Sequence, residues 1–229
     1  MIALGIIPAR GGSKGLPGKN VKALGGLPLI GWSIRSAKGS KLLSRTIVST
    51  DDPAIAEAAR SCGGEVPFTR PAELATDEAS IVAVMQHAVS WYESAEKRRP
   101  DVIVLLQPTS PFRTAEDIDG CLNLMEKTGA DSVETVLRDP TNPFDRFYLK
   151  DGLLVPWHAD TFKYPRRQDV PPIYLETGDV YAMRYPVLMK DGKVTGKRNA
   201  GYVVGAERWV DIDTPDDFAR AERLLERRG

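Results

Sequence analysis

An apolar run, Ile2 to Ile7, ends directly in a loop reading Pro8-Ala-Arg10-Gly-Gly-Ser-Lys14-Gly-Leu-Pro-Gly-Lys19-Asn20. A buried strand that stops at such a concentration of glycine and positive charge has to open onto a surface where cations are useful. Gly11, Gly12, Gly15 and Gly18 let the main chain come close to a ligand and present N–H groups without a side chain in the way. Arg10, Lys14 and Lys19 supply the charge. That chemistry suits a polyphosphate held by Ala9 to Asn20 at a strand end. Two standard phosphate loops do not fit. Gly12 to Gly18 spans five intervening residues and Asn20 stands where a Walker A loop has its hydroxyl. The glycine spacing also has no G-x-G-x-x-G match, which removes the fingerprint of a nicotinamide-dependent oxidoreductase. What remains is the kind of loop with which nucleotidyltransferases hold a triphosphate.

The rest of the chain alternates short apolar runs with amphipathic stretches, the pattern of a mostly parallel sheet flanked by helices. Strands are expected over Ile2–Ile7, Thr46–Ser49, Val102–Leu106, Ser132–Val136, Asp179–Met183 and Tyr202–Val204. Helices are expected over Leu29–Ala37, from Pro53 to Ser61, over Ser80–Glu96, from Thr114-Ala-Glu-Asp117 onward, and from Thr214 to Arg228. Pro53 and Pro215 suit first helical positions, Thr214 suits an N-cap, and Gly63-Gly64 ends the second helix. Between residues 138 and 172 the periodicity gives way to prolines and aromatics, among them Pro140, Pro143, Phe144, Phe147, Tyr148, Trp157, Phe162, Tyr164 and Pro165. Asp151-Gly152 between two apolar pairs predicts a β-hairpin there. The reading is one α/β domain over 1–229, Rossmann-like, with 138–172 as an excursion. An exposed apolar hairpin is a liability that self-association covers.

Basic and acidic side chains balance at 31 each, so no global field favours nucleic acid or a membrane surface. No run approaches the ~20 apolar residues that span a bilayer, and Pro8 and Arg10 interrupt any secretory core. Cys62 and Cys121 have no metal-type spacing. The expectation is a soluble, cytoplasmic protein.

Asp211 and Asp213 stand two apart in an extended segment, which places both carboxylates on one side. Their repulsion suits a hard divalent cation, Mg²⁺ or Mn²⁺; Asp213 could instead help cap the helix beginning at Thr214. Gln107 lies just past the carboxyl end of an apolar strand, where ligands of open α/β sheets bind, and offers both donor and acceptors to a sugar. Arg166 and Arg167 suit a bidentate clamp on carboxylate or phosphate, or form an exposed basic patch. Arg70 reads on its own as a surface arginine facing Glu73 or Asp77. His87 reads as a packing residue within a helix; His158 has no assignable role.

Six blocks occur in order along the chain: Ile7 to Asn20, Val48-Ser-Thr-Asp-Asp52, Arg70-Pro-Ala-Glu-Leu-Ala-Thr-Asp77, Leu105-Leu-Gln-Pro-Thr-Ser-Pro-Phe-Arg113, Arg166-Arg-Gln-Asp169 and Asp211-Ile-Asp-Thr-Pro-Asp-Asp217. Together they resemble the acylneuraminate cytidylyltransferases, the CMP-sialic acid synthetases. The resemblance implies a homodimer formed through the excursion, a nucleoside site made by Asn20, Arg70, Ala79 and Ser80, and a metal-bearing reaction centre at Asp211 and Asp213. It implies CTP and an acidic sugar as substrates, with Arg10 and Lys19 acting directly on the triphosphate. One block departs from the family. Where its members acting on neuraminic acid carry Asn-Gly and a small residue, this chain reads Glu176-Thr177-Gly178-Asp179. Thr177 then faces the acceptor, and Asp179 adds a charge that opposes an acidic sugar unless it points away or meets an arginine. The expected reaction is CMP transfer from CTP to a 2-keto-3-deoxy acid sugar. The alternatives are another nucleotide or a sugar 1-phosphate acceptor, and a non-catalytic sugar-nucleotide binding protein.

Overall fold

The computed structural model describes residues 1–139, 141, 144, 146–161, 163 and 166–227, with Arg167 in its backbone only. Pro140, Pro143, Phe162, Tyr164, Pro165, Arg228 and the Arg167 side chain, named above, lie outside the described residues. In chain order the elements are β1 (Ala3–Pro8), β2 (Ala23–Leu24), β3 (Leu27–Pro28), α1 (Leu29–Gly39), β4 (Arg45–Ser49), α2 (Pro53–Ser61), α3 (Ile81–Glu96), β5 (Val102–Leu105), α4 (Ala115–Thr128), β6 (Ser132–Arg138), β7 (Phe147–Lys150), β8 (Leu153–Pro156), β9 (Tyr174–Arg184), α5 (Tyr185–Met189), β10 (Asn199–Val203) and α6 (Pro215–Glu226).

Six strands form the central sheet in the order β10-β6-β9-β5-β1-β4. β1 pairs in parallel with β4 and β5, and β6 with β10. β9 runs antiparallel between β5 and β6, so five strands share one direction. Both faces are apolar for the reason the sequence suggests: residues from successive strands alternate between two clusters. Ile7, Val48, Val104 and Val133 pack against α1, α2 and α4, while Leu4, Ile6, Ile103 and Met183 pack against α3 and α5. Full burial of such a side chain contributes about 1.5–3 kcal/mol.

Local chemistry sets the helix starts. Thr114 and Asp117 form a capping box on α4, and Thr214 and Asp217 form another on α6. Asp52 accepts from the N–H groups of Ala54 and Ile55 ahead of Pro53. Asp151 and Gly152 both take positive φ, 51° and 79°, which joins β7 to β8 in the way the right-handed strand twist requires.

β9 is longer than expected and irregular. Its register with β6 shifts between Glu134 and Val136, where the partners jump from Tyr181 to Glu176. The Thr135 side chain stands in for the missing ladder bonds: its hydroxyl accepts from the Val180 N–H at 2.9 Å, and its carbonyl accepts from the Thr177 hydroxyl at 3.1 Å. Gly178 at φ 77° turns the chain at this bulge. An isolated glycine inside a strand pattern was the available signal for it.

Candidate active site

The carboxyl ends of β1 and β5 meet at one edge of the sheet, and the glycine-rich loop folds over them. The turn at Lys19–Val21, opened by Gly18 at φ 67°, brings Lys19 back toward the C-terminal segment. Its Nζ donates to the Ile212 carbonyl at 3.0 Å and to Asp213 Oδ1 at 2.8 Å. A side chain on Gly15 would collide with the Asp213 carbonyl oxygen, so glycine is required where the loop crosses this segment. Asn20 is buried and donates to the Arg10 carbonyl at 3.1 Å, which holds the two ends of the loop together. Gly11 donates to Asp51 Oδ1 at 3.2 Å, and Ala9 to the Ser49 carbonyl at 2.9 Å.

Two depressions of about 290 Å³ each result, and both are lined by Pro8, Arg10 and Gln107. The first adds Ser13, Lys14, Gly15, Lys19, Asn20 and Asp213. The second adds Arg70, Leu74, Thr76, Asp77, Ala79 and Ile81. Ser80 lies beside the second as the N-cap of α3, its hydroxyl accepting from the Ala83 N–H. Arg10, Lys14, Lys19 and Gly15 therefore share one depression, while Gly11, Gly12 and Gly18 line neither, and Gln107 belongs to both.

Asp211 and Asp213 flank buried Ile212 and both keep exposed surface. Ile212 donates its N–H to the Thr109 carbonyl at 2.9 Å, which ties the pair to the end of β5. The Asp211 carboxyl is raised above the ordinary carboxylate range by lost hydration and by the charge of Asp213, against the pull of the Thr109 hydroxyl and Lys19. Such crowded carboxylates demand a cation, and the Lys19 ammonium already serves Asp213. Among the described residues no group of three metal-ligating side chains occurs.

Arg70 is not on the surface. The bridge between Thr50 and Thr69 draws its segment against the sheet, its Nε donates to Ser49 Oγ at 3.1 Å, and its Nη2 donates to the Ser49 carbonyl. Burial lowers its pKa to about 10. The partner of Asp77 is instead Arg10, at 2.8 Å, together with Lys14, at 2.5 Å.

The acceptor side differs from expectation in two ways. Thr177 is buried within the bulge and bonded to Thr135, so it does not line the cleft; Gly178, whose missing Cβ would lie 3.9 Å from Gln107 Nε2, is the neighbour that faces that side. Asp179 is also buried, and its charge meets Arg113 and Arg208 rather than the cleft. Arg113, which the motif reading quoted without a role, bonds the Ser33 hydroxyl at 2.6 Å and the carbonyls of Gln107 and Asp179. Arg208 pairs with Asp117 through both nitrogens. Arg166 pairs with Asp169 three residues on, at 2.8 Å. His87 packs edge-on against Phe68, as a packing residue would.

Residues 4–228 match the family named Cytidylyltransferase. The chain is 32% identical over 231 residues to the CMP-N,N'-diacetyllegionaminic acid synthase of Legionella pneumophila, covering 99% of this chain and 97% of that one. It is 34% identical over 225 residues to N-acylneuraminate cytidylyltransferase A of Danio rerio, covering 98% of this chain and 51% of that longer protein. A solved CMP:2-keto-3-deoxy-manno-octonic acid synthetase, complexed with CTP, superposes over the whole of both chains with a TM-score of 0.73 at 19% identity. Matched over nearly its whole length, the chain belongs to the cytidylyltransferase family.

Proposed function

We propose that the protein transfers the cytidylyl group of CTP to a 2-keto-3-deoxy acid sugar of the sialic acid type, releasing pyrophosphate. The observation that carries this reading is the single cleft in which Arg10, Lys14 and Lys19 face Asp213 and open through Gln107 onto a pocket walled by Arg70 and Ala79. Its first half has the positive charge a triphosphate needs. Its second half suits the nucleoside. Buried Arg70 stiffens the pocket wall through Ser49, and Asn20 acts by fixing the loop.

In the reaction the anomeric 2-hydroxyl of the sugar attacks the α-phosphorus and gives up its proton to water, a new P–O bond forms, and the bond to the bridging oxygen breaks with its electron pair leaving on pyrophosphate. Arg10, Lys14 and Lys19 hold that leaving group and offset its growing charge. Asp211 and Asp213 fit a Mg²⁺ or Mn²⁺ ion, which takes one or two protein carboxylates and completes its shell with phosphate oxygens and water. Such an ion, when bound, supplies Lewis-acid stabilisation of the phosphoryl oxygens. The raised Asp211 carboxyl supports this donor set, since a bound cation would offset both the lost hydration and the Asp213 charge that raise it.

The burial of Asp179 against Arg113 and Arg208 supports an acidic acceptor, because its charge does not face the cleft. On this reading residues 1–229 form one cytoplasmic transferase domain, with 138–172 as its dimerisation arm. Support for the arm comes from Leu149, Leu153 and Leu154, each at least two-thirds exposed on β7 and β8, an apolar patch that a second copy would cover. Among the described residues no helix is long and apolar enough to cross a membrane.

The test is pyrophosphate release with Mg²⁺, each nucleoside triphosphate in turn, and a panel of acid sugars and hexose 1-phosphates. Release confined to CTP and one acid sugar is the expected result. Release with another nucleotide or a sugar 1-phosphate would retire the acid-sugar reading and keep a nucleotidyltransferase.

A further inference from the structure

Both outer cations of the glycine loop already hold an anion supplied by the chain itself. Asp77 Oδ1 lies 2.8 Å from Arg10 Nη2, and Asp77 Oδ2 lies 2.5 Å from Lys14 Nζ, so one carboxylate bridges two cations with its two oxygens. Arg10 Nη1 also donates to the Thr76 carbonyl at 3.0 Å, which aligns the guanidinium with this segment. The spacing of a carboxylate's oxygens resembles that of two oxygens on one phosphate, and both are acceptors for the same nitrogens. Asp77 thus stands where a phosphate would bind, on the wall of the second half of the cleft and within reach of Arg10, which lines both halves, and of Lys14, which lines the first.

The contact is also built to be exchanged. The Asp77 side chain is 41% exposed and that of Lys14 79% exposed. Exposed pairs of this kind are weak and screened, so an incoming polyanion can displace them. By contrast Asp117, 3% exposed, is locked to Arg208.

We propose that Asp77 is an internal competitor for phosphate, which sets how much binding energy a ligand must bring before it captures Arg10 and Lys14. The inference rests on the reading of the loop as a triphosphate site. CTP brings a nucleoside as well as a phosphate chain and overcomes the competition. Inorganic pyrophosphate brings only the chain, so the returning carboxylate shortens its stay after transfer. The residue therefore acts on product release as well as on selectivity, without touching the reacting atoms.

The test compares the parent with Asp77→Asn, which keeps the side-chain shape and removes the charge. Inhibition by inorganic pyrophosphate should strengthen about threefold to tenfold, the size expected for two exposed ion pairs. Cytidine, which has no phosphate, should respond to Asp77→Asn far less than pyrophosphate does and should not gain affinity by the same factor. Asp77→Ala should move in the same direction, and Lys14→Ala should weaken pyrophosphate. Unchanged or weaker pyrophosphate inhibition in Asp77→Asn, while the parent is inhibited in a Lys14-dependent way, would overturn the competitor role. Weaker cytidine binding would make Asp77 a structural brace and overturn it equally. A parent protein that ignores both CTP and pyrophosphate would instead sink the triphosphate reading itself.

Discussion

Two sets of charges lie within a few residues of each other at the strand ends, and they are treated oppositely. At the cleft, Arg10 and Lys14 meet an exposed carboxylate, and Lys19 reaches over the loop to an exposed Asp213. Behind it, Arg113 and Asp179 are almost entirely buried, and Asp117 is fixed bidentately by Arg208. Pairs in water cost little to open and are worth little to stability. Pairs removed from water are costly to make and more costly to break by halves. On the proposed reading Arg10 and Lys14 trade their exposed partner for a ligand, while the inner set holds the backbone behind them. Arg113 shows the connection, since its guanidinium bonds the Gln107 carbonyl while the Gln107 side chain lies between the two halves of the cleft.

The inner set offers the sharpest break. Arg113→Gln removes a cation whose charge acts on buried Asp179, together with bonds to the Ser33 hydroxyl and to the carbonyls of Gln107 and Asp179; unfolding in denaturant should show a loss of about 3–5 kcal/mol. A variant as stable as its parent would mean that the inner charges are not structural. For the outer set, Lys19→Ala should lower kcat/KM about 10²–10³-fold, with the melting temperature nearly unmoved because its bonds are to exposed Asp213 and one carbonyl. A large drop in melting temperature would erase the distinction between the sets.

Asp179 refines the comparison through pH. Burial raises its carboxyl to about 6, above the unfolded value. The folded state therefore binds this proton more tightly, and the stability the group contributes is present below about pH 4 and lost as pH rises through about 6. Above that range the ionised form costs roughly 3 kcal/mol at most. Asp179→Asn should accordingly be more stable than the parent at pH 7 and match it near pH 4, measured as melting temperature against pH. A gap independent of pH would show that Arg113 compensates the charge fully. The smallest effect concerns the exposed arm: Leu149→Lys on β7 should weaken self-association about tenfold or more in sedimentation, with activity per folded chain changed less. A parent that sediments as a monomer at all concentrations would remove the dimer reading.

Much of the architecture was legible because it depends on local rules. The turn at Asp151-Gly152 and the caps at Thr114 and Thr214 are near-neighbour chemistry, and the strands appear as short apolar runs. The cationic loop was equally legible, since Arg10, Lys14 and Lys19 lie within one stretch of sequence and share the cleft. Arg70 was misplaced on the surface because a charged residue in a turn carries no sign that a bridge to Thr50 will bury it. Thr177 was placed at the acceptor through the family resemblance of its block, and the bulge, which pattern alone does not reveal, turns it to Thr135 instead.

From sequence alone came the strand-and-helix order, the concentration of glycine and positive charge in residues 9–20, and the placing of Asp211 and Asp213 on either side of an apolar residue. These follow from periodicity and spacing, which act over a few residues. Tertiary structure alone decided which charges can change partners. Arg10 meets the Asp77 carboxylate, and Arg208 meets the Asp117 carboxylate, across 67 and 91 positions of chain. Whether such a pair is exchangeable or permanent depends on its access to water, a property of the packed molecule and of no single segment.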